Sequence, residues 1–151
     1  MKVSEVIKPE LVKLDLKPGS KESALEALTD LLFEQGVLTD KQAFLEDVYK
    51  RESVSTTGIG NGVAIPHGKS KFVNDTSVAI GLVKDGGLEW ETFDGKPVQL
   101  VVLLAVDDNA KGGEHVRLLS QMARKLASEE TCRRLVQANS VDEIVSIFSE
   151  D

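Results

Sequence analysis

The chain has 151 residues, 41% of them hydrophobic, which suits one domain with a real core. A formal charge of −7 and an isoelectric point near 4.9 disfavour nucleic acid and anionic membrane surfaces as partners, because both require a basic face. The single cysteine, Cys132, excludes an internal disulfide and a thiolate zinc cluster; the charged N-terminus is no signal peptide and no run nears ~20 apolar residues, so the expectation is a cytoplasmic protein without direct membrane insertion.

No internal repeat, low-complexity tract or Pro/Gly/Ser-rich linker interrupts residues 1–151, which read as one unit. The first strong helical signal runs from Lys21 to Gln35. Ser20 is its N-cap, Ala24, Leu25, Leu28, Leu31 and Leu32 supply the apolar stripe, and Gly36 is the stop. Thr39-Asp40-Lys41-Gln42 has the pattern of a capping box and opens a second helix, expected to end near Arg51 or Glu52.

From Ser53 to Gly68 the character changes to a glycine-rich loop, with Gly58, Gly60 and Gly62 at alternate positions. Val63-Ala64-Ile65 within it reads as a short buried strand stopped by Pro66. Two longer strands are predicted over Ser77–Val83 and Val98–Val106. The unbroken apolar run from Leu100 to Leu104 predicts a central strand buried on both faces. Asp85-Gly86-Gly87 and Asp94-Gly95 mark turns. The last third is helical: Glu114–Ala127, then Glu129–Ala138 capped by Ser128, then a final helix opened by the capping box Ser140-Val141-Asp142-Glu143. Helices, then strands, then helices again predict an α/β fold with a mixed central β-sheet flanked by helices.

The chain has two histidines, His67 and His115. A lone histidine in a helix is more often packed or solvated than reactive, which is the plain reading of His115. His67 stands in Ile65-Pro66-His67-Gly68, between a residue of fixed φ and one free to turn or be closely approached. That aims a side chain out of a strand end, where α/β proteins commonly keep their sites. A plain turn with a polar residue in it explains the same four residues, and local sequence leaves both readings open.

No paired carboxylates or activated Ser/Cys motif accompany His67, and neither histidine belongs to a metal-ligand cluster. Covalent chemistry remains, because a neutral imidazole is a good nucleophile and, once phosphorylated, a good leaving group. Phosphohistidine needs cationic and hydrogen-bond donors nearby. Arg51 can supply a planar guanidinium, and the loop Thr56–Gly62 hydroxyls and backbone amides. The loop has neither a Walker ending nor a dinucleotide fingerprint, and an irregular connection is its plain alternative.

The stretch Arg51-Glu52-Ser53-Val54-Ser55-Thr56-Thr57-Gly58-Ile59-Gly60-Asn61-Gly62-Val63-Ala64-Ile65-Pro66-His67-Gly68-Lys69 resembles the signature of the fructose/mannitol-type IIA domains of the bacterial phosphoenolpyruvate-dependent sugar phosphotransferase system. The resemblance covers essentially the whole chain, including Asp94-Gly95-Lys96-Pro97-Val98 and Glu114-His115-Val116-Arg117-Leu118-Leu119-Ser120. It implies that His67 is the phosphorylated nucleophile, with His115 beside it as a donor and Arg51 on the phosphoryl oxygens. Thr57, Gly58 and Gly60 are further phosphoryl-binding candidates. It implies neither metal nor cofactor. The phosphoryl group would arrive from an HPr-type carrier protein and leave to a cysteine of the cognate IIB domain, which feeds the membrane-bound IIC transporter. Ile59, Val63 and Phe72 are candidates for an apolar docking patch, each equally suited to the core.

The same motifs resemble the nitrogen-regulatory IIA branch, in which histidine phosphorylation signals without moving sugar. Leu88-Glu89-Trp90 and Gly113-Glu114-His115-Val116-Arg117-Leu118-Leu119-Ser120 lean toward the fructose type. Cys132, far in sequence from His67, is read as packing.

Overall fold

The structure, a computed structural model, describes residues 2–84, 86–109 and 113–150, and only the backbone of Glu114 and His115. The chain begins with a short helix α1 (Val3–Val6), a single 3-10 turn (Pro9–Leu11) and a two-residue strand β1 (Val12–Lys13). These elements are too short to show a hydrophobic period, and the sequence reading contained none of them.

Helices α2 (Lys21–Glu34) and α3 (Lys41–Val54) follow. Ser20 caps α2 in a reciprocal box with Ser23, each accepting from the other's backbone N–H. Gly36 stands past the end in the left-handed region, φ 77°. At α3 the expected box shifts by one residue: Asp40 is the N-cap and accepts from Ala43 N at 3.0 Å, while the Thr39 hydroxyl donates to the Phe72 carbonyl. α3 also runs past Glu52 to Val54. Arg51 Nη1 donates to the carbonyl of Ser55 at 3.0 Å, and a cation on the exposed carbonyls lengthens a helix end.

The stretch expected to be loop is partly sheet. It holds β2 (Gly58–Gly60), β3 (Val63–Ala64) and β4 (His67–Ser70). β5 (Ser77–Leu82) and β6 (Leu100–Asp107) are the long strands, and helices α4 (Glu114–Leu126), α5 (Glu129–Val136) and α6 (Val141–Ser149) complete the chain. The final capping box also shifts. Ser140 accepts from Glu143 N, but the Glu143 carboxylate reaches Asn139 N instead of the cap residue.

The sheet is mixed, in order β1-β5-β6-β3-β2, with β4 also on β6. β5 pairs antiparallel to β6, and β3 and β4 pair parallel to it, one after the other along the same edge. Val63 faces Leu100, Ala64 faces Val101 and His67 faces Leu104. Four steps on one strand match four on the other, so Pro66 interrupts the ladder without shifting its register. Its carbonyl still accepts from Leu104 N at 2.9 Å.

Strand alternation divides the core in two. Leu100, Val102, Leu104 and Val106 pack with Val63, Ile65 and helices α4 to α6, whose contributions include Leu118, Met122, Leu135 and Phe148. Val101, Leu103 and Ala105 face Leu25, Leu28, Phe44 and Val48 of α2 and α3. The result is three layers, helix–sheet–helix, with β6 buried on both faces as its continuous apolar run requires. Burying each of its leucines stabilises the fold by about 1.5–3 kcal/mol.

Candidate active site

His67 opens β4 and is half-buried. Because register is kept across Pro66, the side chain at 67 follows those of 63 and 65 onto the face covered by α4 to α6. Its neighbour Gly68 faces the opposite layer. A Cβ there would lie 2.9 Å from Val48 Cγ2 and 3.1 Å from Phe44 Cε1, so only glycine lets α3 lie this close to the strand.

The His67 Nδ1 lies 3.1 Å from the Ile65 carbonyl oxygen. A carbonyl only accepts, so Nδ1 carries the proton, and in the neutral form of the ring the lone pair lies on Nε2. The backbone two residues upstream thus selects the tautomer.

Arg51 lies in the last turn of α3, three residues beyond Val48 and on the same helix face. Past it the chain returns through Thr57, whose carbonyl accepts from Ile65 N at 2.9 Å. Val48 lies over Gly68 while Thr57 lies against Ile65, so α3 packs along β4, the strand that His67 opens. Arg51 as a residue is half-buried, and its guanidinium engages the Ser55 carbonyl at an exposed position. His115 is the second residue of α4, which opens after Gly113 on the layer that His67 faces. Its side chain lies outside the described residues.

The weaker loop candidates are engaged internally. The Thr57 hydroxyl donates to Glu52 Oε1, and the Gly58 amide donates to Thr56 Oγ1 at 3.0 Å. Gly60, Asn61 and Gly62 turn the chain through three successive positive φ values, 93°, 57° and 77°. The turn is pinned by Asp94, whose carboxylate accepts from Asn61 N at 2.9 Å and Lys96 N at 3.1 Å. These backbone donors, with the Thr92 hydroxyl, hold the Asp94 carboxyl below its ordinary value.

Sequence reasoning placed Glu52 at a helix end and in the signature stretch but gave it no role. Its side chain is 7% exposed, accepts from Thr57 on one oxygen and pairs with Lys21 Nζ at 2.6 Å on the other. The Lys21 ammonium also lies 4.6 Å from the centre of the Trp90 ring. The only sequence signal for this cluster was a glutamate beside Arg51, next to the glycine loop. Of the docking-patch candidates, Val63 is core, Ile59 packs partly against it and Phe72 is half-buried. Among the described residues the exposed large apolar side chains are instead Phe33, Val54, Phe93 and Val116.

The sequence profile described as "Phosphoenolpyruvate-dependent sugar phosphotransferase system, EIIA 2" matches residues 5–151. The chain belongs to this family. Among relatives of this EIIA domain, the "PTS system fructose-specific EIIABC component" of Bacillus subtilis is 36% identical over 99% of this chain, which spans 23% of that larger protein. The "PTS system fructose-specific EIIA component" of Haloferax volcanii is 34% identical, with 98% of this chain and 95% of the relative covered. The crystal structure of nitrogen regulatory protein IIA-Ntr from Neisseria meningitidis superposes on the EIIA domain with a TM-score of 0.88 at 31% identity, covering 97% of this chain and 99% of that one. Among the described residues no helix is long and apolar enough to cross a membrane.

Proposed function

We propose that this EIIA domain is a phosphoryl carrier that accepts the group on His67 Nε2 and passes it on. The observation that carries the reading is the Nδ1 contact with the Ile65 carbonyl, which puts the lone pair of the neutral ring on Nε2. In the accepting step this lone pair attacks phosphorus of the phosphohistidine on an HPr-type protein. The donor's P–N bond breaks and its electron pair returns to the donor imidazole. In the second step a thiolate of a cognate IIB domain attacks the same phosphorus, and the electron pair returns to His67. The IIB domain feeds a membrane-bound IIC transporter, for a sugar of the fructose or mannitol class.

Arg51 exchanges the Ser55 carbonyl for phosphoryl oxygens and stabilises charge in a loose, metaphosphate-like transition state. His115, opening α4 on the layer that His67 faces, donates to the group. Thr57 and Gly58 shape the loop through their internal bonds, and phosphoryl contact at either requires an exchange of partners. With the Gly60 amide they stand behind Arg51 and His115. Exposed Val54 and Val116 lie on the helices carrying Arg51 and His115 and offer apolar contact to protein partners.

Incubation with phosphoenolpyruvate, enzyme I and HPr, followed by mass measurement, tests this. The expected result is one acid-labile, base-stable phosphate on wild type and none on His67→Ala. Unmodified wild type in the presence of competent HPr overturns the carrier reading. A second reading keeps the chemistry and replaces transport with signalling, as in the nitrogen-regulatory branch. Likeness to the Neisseria structure over nearly both whole chains favours it, and the 36% identity to a fructose component favours transport. Phosphoryl transfer to a fructose-type IIB cysteine separates the two.

A further inference from the structure

We infer that Glu52 is a positioning residue for His67, acting through Thr57 and Ile65. The inference rests on the carrier reading for its catalytic consequence, and on geometry alone for the connection. Three contacts join the two side chains in sequence, and a fourth holds Glu52 from behind. The Lys21 ammonium pairs with Glu52 Oε2 at 2.6 Å, and the Thr57 hydroxyl donates to Glu52 Oε1. Ile65 N donates to the Thr57 carbonyl at 2.9 Å, and His67 Nδ1 donates to the Ile65 carbonyl at 3.1 Å.

Each link fixes the next. Thr57 precedes β2, and its bond to Ile65 extends the β2–β3 hairpin one step beyond the Gly58–Ala64 pair. Ile65 is therefore held from the hairpin side just before Pro66, and its carbonyl is the acceptor that chooses the His67 tautomer. Without Glu52 the Thr57 hydroxyl loses its acceptor, and the anchor for Ile65 loosens.

Two features are hard to explain by packing. A carboxylate 7% exposed pays a large desolvation cost that an apolar side chain of the same size avoids. Lys21 is the first residue of α2, where the helix dipole disfavours a cation; Glu52 and the Trp90 ring are what hold it there. Local rules broken at both ends of one ion pair, one residue from Arg51, point to a site requirement.

Nitrogen-15 NMR of the labelled protein, without any phosphoryl donor, reads the His67 tautomer directly, with His67→Gln identifying its signals. Wild type is expected to hold mainly the Nδ1–H form. Thr57→Val raises the Nε2–H form several-fold, Thr57→Ser restores the wild-type balance, and Glu52→Gln falls between. In transfer from phosphorylated HPr, Thr57→Val lowers kcat on the order of tenfold with KM unchanged, and Thr57→Ser recovers it. Wild-type tautomer balance in Thr57→Val, or in Glu52→Gln if the valine variant does not fold, overturns the inference. A wild-type protein that accepts no phosphoryl group defeats the carrier reading, while the tautomer series still decides whether Glu52 orients His67.

Discussion

Val48 of α3 lies over the backbone of Gly68 so closely that a Cβ at Gly68 would sit 2.9 Å from Val48 Cγ2 and 3.4 Å from Val48 N. The tight contacts are a β-branched side chain fixed on its helix and the edge of the Phe44 ring at 3.1 Å, neither of which swings aside freely. Gly68→Ala must therefore push α3 off the sheet, and Arg51 moves with it. The expected cost is about 1–3 kcal/mol in denaturant unfolding, with phosphoryl uptake falling further than stability explains. By contrast, a Cβ at Gly19 meets nothing within 4 Å, and Gly19→Ala is expected to leave both unchanged.

Arg51→Lys keeps the charge and loses the planar fork that spans two phosphoryl oxygens. The fold is expected to persist, since the side chain is half-buried and its shown contacts are with Ser55. Phosphoryl acceptance by His67 slows by about 10- to 100-fold, with an unchanged melting curve. Wild-type single-turnover rates in this variant remove Arg51 from the site.

Asp94 connects the glycine turn to acidity. Its depressed carboxyl pKa means that its contribution to stability is present above the unfolded value near 3.8 and is lost as pH falls through the lower folded value. The amide shifts of Asn61 and Lys96, which donate to this carboxylate, should titrate together with a midpoint below 3.8. A midpoint at or above that value contradicts the geometry. Asp94→Ala should broaden the resonances of Gly60 to Gly62 while leaving β6 unaffected.

Cys132 is buried, and its Sγ lies 3.1 Å from the Leu126 carbonyl as donor. Burial, with Glu129 nearby, pushes the thiol up to about 11. Native protein at pH 8 should hold about a hundredfold less thiolate than an ordinary cysteine and react correspondingly slowly with a disulfide reagent, unfolded protein at the ordinary rate. The stability from the buried neutral thiol is full below the unfolded value of 9 and declines as pH rises through 11. Rapid native labelling contradicts this placement.

The fold was legible where elements are long. Periodicity located α2 and α4, capping signals located α3, α5 and α6, the apolar run at Leu100–Leu104 identified the two-sided central strand, and Ser20 and Ser128 cap where expected. α1, β1, β2 and β4 escaped because two to four residues show no period, and β2 is built from glycines that propensity assigns to loops. His67 stood out through the residues flanking it. The face it occupies did not, because that depends on Pro66 preserving register, a property of the paired strand. The Lys21–Glu52–Thr57 cluster joins a helix start, a helix end and a loop, and no sequence spacing encodes such a meeting.

Trp90 is the chain's sole tryptophan, and the Lys21 ammonium rests against its ring. The protein thus carries its own fluorophore at the far end of the contacts that lead to His67. A change in how Glu52 holds Lys21 alters the charge in contact with the indole, and indole emission responds to nearby charge. Glu52→Gln, which removes the charge that holds Lys21, is expected to shift the emission of Trp90 in unlabelled protein, so the state of this ion pair is readable by light alone.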